Sequence, residues 1–134
     1  AHGHSYTGNP LACAAALANL EIFRKEKIID KIQPKIQTLW QEAKKLEKLN
    51  LVGDIRGIGL MLGIEIMKNK FKKIPFQVHE RVARKITLKV RQQGLAIRPL
   101  GDVLVFMPPF SISKKEIKWA LKTIGNAIKE IPIS

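Results

Sequence analysis

Residues 51–67 read LVGDIRGIGLMLGIEIM. Glycines 53, 57, 59 and 63 punctuate a run rich in isoleucine, leucine and valine, the pattern of short strands broken by tight turns. This stretch predicts a strand over 51–56, a glycine turn, and a second strand over 59–67. Two such strands cannot close a core alone, so the fold class depends on what flanks them.

Downstream, residues 68–75 are basic and loop-like. Val78, Val82, Ile86 and Val90 then recur at helical spacing and stop at Gly94, a left-handed cap. Leu95 to Arg98 reads as a short strand, Pro99 to Asp102 as a turn, and Val103 to Met107 as another strand ended by Pro108-Pro109. Ser113-Lys-Lys-Glu116 is a capping box. The helix behind it places Ile117, Ala120, Leu121, Ile124, Ala127, Ile128 and Ile131 on one face.

Upstream, Ile28, Ile32, Ile36, Leu39, Trp40, Ala43 and Leu46 mark another helix, which Pro34 either kinks or restarts. Before it, Asn9-Pro10 is a strong helix start, because Asn caps free N–H groups and Pro suits the first helical position. The helix that follows, LACAAALANLEIFRKE, is apolar on every face for ten residues. Such a helix needs cover all round, and a chain of 134 residues can hardly supply it. Cys13, inside this helix, is expected to be a buried, inert thiol. The order α-α-β-β-α-β-β-α implies a small sheet covered by helices over 51–134, an α/β or α+β subdomain.

The composition is that of a globular protein, with 46% apolar and 26% charged residues. A single cysteine rules out an internal disulfide and fits a reducing, cytoplasmic setting. The uncharged stretch 1–20 holds His, Gly, Ser, Asn and Pro, so it reads as neither a membrane span nor a secretory signal. The chain begins with Ala, and its apolar helix follows at once, which suggests a missing upstream part. A net charge of +13 raises a nucleic-acid partner. However, Lys and Arg are spread over the expected helices among Glu, with no Arg-rich tract, so a solvated lysine-rich surface is the simpler account. A basic nucleic-acid module would instead gather its charge on one face. A free-standing structural domain would cover helix 10–24 within the chain.

Two places could carry chemistry. His2-Gly3-His4-Ser5-Tyr6-Thr7-Gly8-Asn9 precedes a helix N-terminus, where hydroxyls beside free N–H groups suit a phosphate; an ordinary glycine-serine loop is the alternative. His2 and His4 lack a third ligand nearby, so no metal is expected. Arg98, at a strand end beside Pro99, could hold a carboxylate through two parallel hydrogen bonds. It could equally be a surface arginine or a partner of Asp102. Arg56 falls in a glycine turn, which a hairpin explains. No Ser-His-Asp set and no paired catalytic carboxylates are visible.

Taken in order, HGHSYTGNPLACAAALANL, GDIRGIGLMLGIEI, GLAIRPLGDVLVFMPPFSIS and the terminal amphipathic helix resemble the subgroup III aminotransferases of fold type I, which depend on pyridoxal 5'-phosphate. The resemblance covers essentially the whole chain. Within the family, IRPLGDVLVFMPP and HGHSYTGNP look most like the biotin-pathway branch; the ornithine, acetylornithine, 4-aminobutyrate and ω-amino-acid branches share the general pattern. The resemblance implies that residues 1–25 end the large cofactor-binding domain, 26–50 form a connecting helix and 51–134 form a small C-terminal α+β domain. It implies that His4 and Ser5 contact the cofactor phosphate, from one subunit of a homodimer into the other's site. Gly3 would line the substrate pocket, and Arg98 would bind the substrate carboxylate. The family often has Thr where this chain has Ser5, and either hydroxyl serves. The family's Schiff-base lysine lies upstream of His2, so no catalytic residue is expected in this chain, and the chain alone is expected to be inactive. The implied partners are small-molecule substrates, with neither nucleic acid nor membrane.

Overall fold

A computed structural model describes Gly3 and residues 7–132. The chain divides into two compact units, 1–33 and 34–134. In the first, α1 spans Pro10–Lys25. The Asn9 side chain accepts the Ala12 N–H at 3.1 Å, and Pro10 stands in the first turn, as the Asn-Pro pair predicts. No residue of α1 is buried. Leu11, Leu17 and Leu20 are 83%, 68% and 64% exposed. Cys13 is exposed as well, contrary to the expectation of a buried thiol, since no residue of its helix is buried.

Helix α2 spans Ile28–Leu46 and runs through Pro34 without a restart. The division between the units falls at this proline, whose ring nitrogen has no N–H to donate within the helix. The Thr38 hydroxyl donates to the Pro34 carbonyl at 2.9 Å.

The second unit is a four-stranded antiparallel sheet in the order β1-β2-β4-β3, with helices packed on it. Its strands are β1 (Val52–Ile58), β2 (Met61–Ile66), β3 (Arg98–Leu100) and β4 (Val103–Phe106). The glycine-punctuated stretch thus forms the expected hairpin, with its turn at Gly59-Leu60. Gly57 is obligatory for steric reasons: a Cβ there would stand 2.0 Å from the Met61 carbonyl oxygen. Arg56 lies in β1, not in the turn, because the strand runs two residues past the expected end.

Side chains alternate across this sheet. Leu62, Ile64, Ile66, Leu104 and Phe106 face the helices and are buried. The helices are the second half of α2, α3 (Val82–Gln92) and α4 (Lys114–Lys129). Leu39, Ala43, Ile86, Val90, Ile117, Leu121, Ile124 and Ile128 complete the core. The indole N–H of Trp40 donates to the Gly59 carbonyl at 3.1 Å, which ties α2 to the hairpin turn.

Three local expectations need correction. Val78 belongs to a single 3-10 turn, Val78–Glu80, and is exposed; Arg81 then adopts φ 46°, so α3 starts only at Val82. Arg98 opens its strand and does not close one. Pro99 sits inside β3, which is tolerated because β3 is an edge strand. The last helix ends at Lys129, so Ile131 is buried from the segment beyond it.

Candidate functional site

The register places Arg56, Gly63, Val105 and Arg98 in one row across the sheet, on the face turned away from the helices. The two arginines therefore stand at opposite edges, about 14 Å apart by ordinary strand spacing. Their surroundings differ. Arg56 donates to Asp54 at 2.9 Å and also to Glu65, and both carboxylates lie on β1 and β2 beside it. The bond to Glu65, then the one to Asp54, holds the Arg56 guanidinium above its ordinary value. That arginine is a neutralised part of the hairpin.

Arg98 is exposed, and its guanidinium has no hydrogen bond or ion pair among the described residues. Asp102, the alternative partner, is not bonded to it. The Asp102 carboxyl is instead raised, first by burial and then by the charges of Glu65 and Glu80. Pairing with Asp102 is thus ruled out among these residues.

Arg98 borders an apolar groove of about 710 Å³. Ile97, Met107, Pro108, Ile112 and Trp119 are among its apolar lining. Glu116 is the other charged residue of the lining. Its carboxylate is already engaged, because it accepts the Ser113 N–H at 2.7 Å in the capping box. Hydrogen bonding to Ser113 keeps Glu116 below the usual carboxylate value. Arg98 is left as the uncommitted cation of a mainly apolar groove, an arrangement that suits a ligand with a hydrocarbon body and an anionic end. Trp119 escaped the sequence reading, which attended to the buried stripe of α4. A large aromatic off that stripe was the available signal, and in the structure it is 45% exposed.

The loop before α1 is only partly visible. His4 and Ser5 lie outside the described residues. Gly3 is exposed, and nothing stands within 4 Å of where a Cβ would be, so its backbone is open to a ligand. Gly8 turns the chain with φ 77° into the Asn9 cap. The helix end offers less than expected: Asn9 takes the N–H groups of Ala12 and Cys13, and Pro10 has none. Anion binding at this loop would therefore rest largely on donors of the loop itself, the Gly3 backbone among them. Among the described residues no group of His, Cys, Asp and Glu could hold a metal ion. No helix among them is long and apolar enough to cross a membrane.

The aminotransferase class-III family model matches residues 1–128. The chain is 47% identical to the adenosylmethionine-8-amino-7-oxononanoate aminotransferase of Aquifex aeolicus over 97% of its own length and 29% of that protein. It is 46% identical to the enzyme of the same name from Methanocaldococcus jannaschii, over 96% of this chain and 28% of that one. The crystal structure of the Methanocaldococcus jannaschii enzyme superposes with a TM-score of 0.92, covering 96% of this chain and 30% of the other. The chain thus spans less than a third of the length of the relatives it matches. Likeness of this extent, in sequence and in three dimensions, leaves one assignment: the chain belongs to the class-III aminotransferase family, with the α/β architecture of the transaminases.

Proposed function

We propose that this chain serves a pyridoxal-phosphate transaminase of biotin biosynthesis, which passes an amino group from S-adenosylmethionine or lysine to 8-amino-7-oxononanoate to give 7,8-diaminononanoate. The observation that carries the reading is Arg98, an unpaired guanidinium on an apolar groove, matched to the substrate the relatives' name specifies. That substrate is an aliphatic chain with a carboxylate at one end, the shape and charge such a groove accepts. The branches acting on acetylornithine, ornithine, 4-aminobutyrate or ω-amino acids are the alternatives within the family.

In this reading residues 1–25 end the large domain, 26–50 connect, and 51–134 form the small domain. The donor chemistry of the first loop fits a phosphate: an open glycine backbone at Gly3 and, by family resemblance, the side chains of His4 and Ser5. Pyridoxal phosphate, when bound, supplies the electron sink for proton removal at the amino-bearing carbon. The contribution of this chain is placement. Arg98 would hold the substrate carboxylate with paired charge-assisted hydrogen bonds. Gly3 would let the substrate approach the loop closely, and Ser5 would donate its hydroxyl to the phosphate of the neighbouring subunit in a cytoplasmic homodimer. By family resemblance the lysine that carries the cofactor would lie outside these 134 residues, and this chain alone is expected to be inactive.

Replacing Arg98 with Ala in the full enzyme tests the reading. The Michaelis constant for 8-amino-7-oxononanoate should rise on the order of tenfold to a hundredfold, the loss of a hydrogen bond to a charged group. An unchanged constant for the oxononanoate overturns the assignment of Arg98.

A further inference from the structure

The charge of +13 has no role in the groove beside Arg98. The fold gathers part of it elsewhere. A second groove, about 540 Å³, runs between the C-terminal half of α2 and α4. Lys45, Lys118, Lys122 and Lys129 line it, with Glu42 as the one acidic residue and Asn126 as an amide donor. Lys118, Lys122 and Lys129 are spaced four and seven residues apart, so they share one stripe of α4. Lys45 is paired with Glu42 at 2.6 Å. The other three lysines have no ion-pair partner among the described residues. A smaller hollow shares Leu49 and Lys129 with this groove and adds Lys48.

Like charges four apart on a helix destabilise it slightly. Here Gly125, on the same stripe, also brings the two helices close: a Cβ at this position would stand 2.8 Å from a Leu46 methyl. The result is a concave site with a cationic rim and an apolar floor, of a size ordinary for small ligands. Lysine ammonium groups on flexible stems suit phosphate oxygens, acting as point charges that need no fixed fork geometry.

We propose that this groove binds an oligophosphate anion, a linear run of three phosphates, at a site separate from the one containing Arg98. The same chemistry occurs in inorganic tripolyphosphate and in the tail of a nucleoside triphosphate. Calorimetric titration of the full chain with sodium tripolyphosphate, ATP and orthophosphate, in about 0.1 M salt where exposed charges are partly screened, tests it. One tripolyphosphate should bind per chain, with orthophosphate at least about tenfold weaker, since a single phosphate meets fewer lysines. Equal affinities for ATP and tripolyphosphate would identify phosphate alone as the ligand; tighter ATP would add the apolar floor as a seat for the base.

The double variant Lys118→Gln, Lys122→Gln should weaken tripolyphosphate on the order of tenfold or more, at roughly fivefold per contact charge in water. The Lys118→Arg, Lys122→Arg pair should keep most of the affinity. Lys68→Gln with Lys85→Gln, outside the groove, should change it less than about twofold. Absence of saturable binding, or equal losses in the groove and control variants, overturns the proposal in favour of diffuse surface charge. Activity toward the oxononanoate is untouched by either result, so failure here is distinct from failure of Arg98.

Discussion

Arg56 and Arg98 share a row of the sheet and differ in whether a carboxylate is within reach. Asp54 and Glu65 neutralise the first; Asp102 is not bonded to the second. Asp102 itself carries an electrostatic liability. Burial and the nearby charges of Glu65 and Glu80 raise its carboxyl, so the folded state disfavours the ionised form. Its unfavourable contribution is absent below the ordinary aspartate range and fully present above the raised folded value. Asp102→Asn should therefore stabilise the protein at neutral pH, by less than about 1 kcal/mol because the site is only partly buried. The gain should disappear in acid. Thermal melts of the two proteins across pH check both parts; a variant less stable at neutral pH contradicts the electrostatic account.

Helix α4 is the element whose start is written most plainly. Ser113 accepts the Glu116 N–H at 3.1 Å and Glu116 accepts the Ser113 N–H at 2.7 Å, so two otherwise free donors are satisfied together. Ser113→Ala should cost about 1 kcal/mol in chemical denaturation. The Glu116 half is pH-dependent. Its carboxyl is lowered in the folded state, so its stabilisation is present above the ordinary glutamate value and is lost as pH falls through the lower folded one. Glu116→Gln should flatten that acid limb of the stability profile. Helix α3 shows the opposite case. Its stripe seemed to start at Val78, but periodicity cannot register the left-handed turn at Arg81, which depends on how the chain enters from the loop.

For the whole molecule, apolar cover is unequally shared. Residues 34–132 enclose most of the core, whereas α1 presents leucines to its surroundings and buries none. Hydrogen exchange on the 134-residue chain should find the amides of β2, β4 and α4 most protected, because only global unfolding exposes them. The amides of α1 should exchange faster by orders of magnitude, since a helix of 16 residues without packing is marginal in water. Protection of α1 equal to that of α4 would contradict this division. The chain spans 29% of its Aquifex relative.

The sequence by itself determined the order of elements, the hairpin at 51–67, the caps of α1 and α4, and the buried stripe of α4. These follow from local chemistry: glycine punctuation, capping side chains and the periods of strand and helix. It also marked Arg98 as a candidate while leaving three readings open: a substrate carboxylate, a bare surface position or a pairing with Asp102. Only the tertiary structure removed the last of these. Strand register brought Asp54 and Glu65 to Arg56 and left Arg98 uncommitted, and a register is a relation between residues far apart in the chain. The meeting of Arg98 with Trp119, and of Lys45 with Lys118 and Lys122, is likewise a product of packing. No spacing along one helix specifies which face of another will lie opposite.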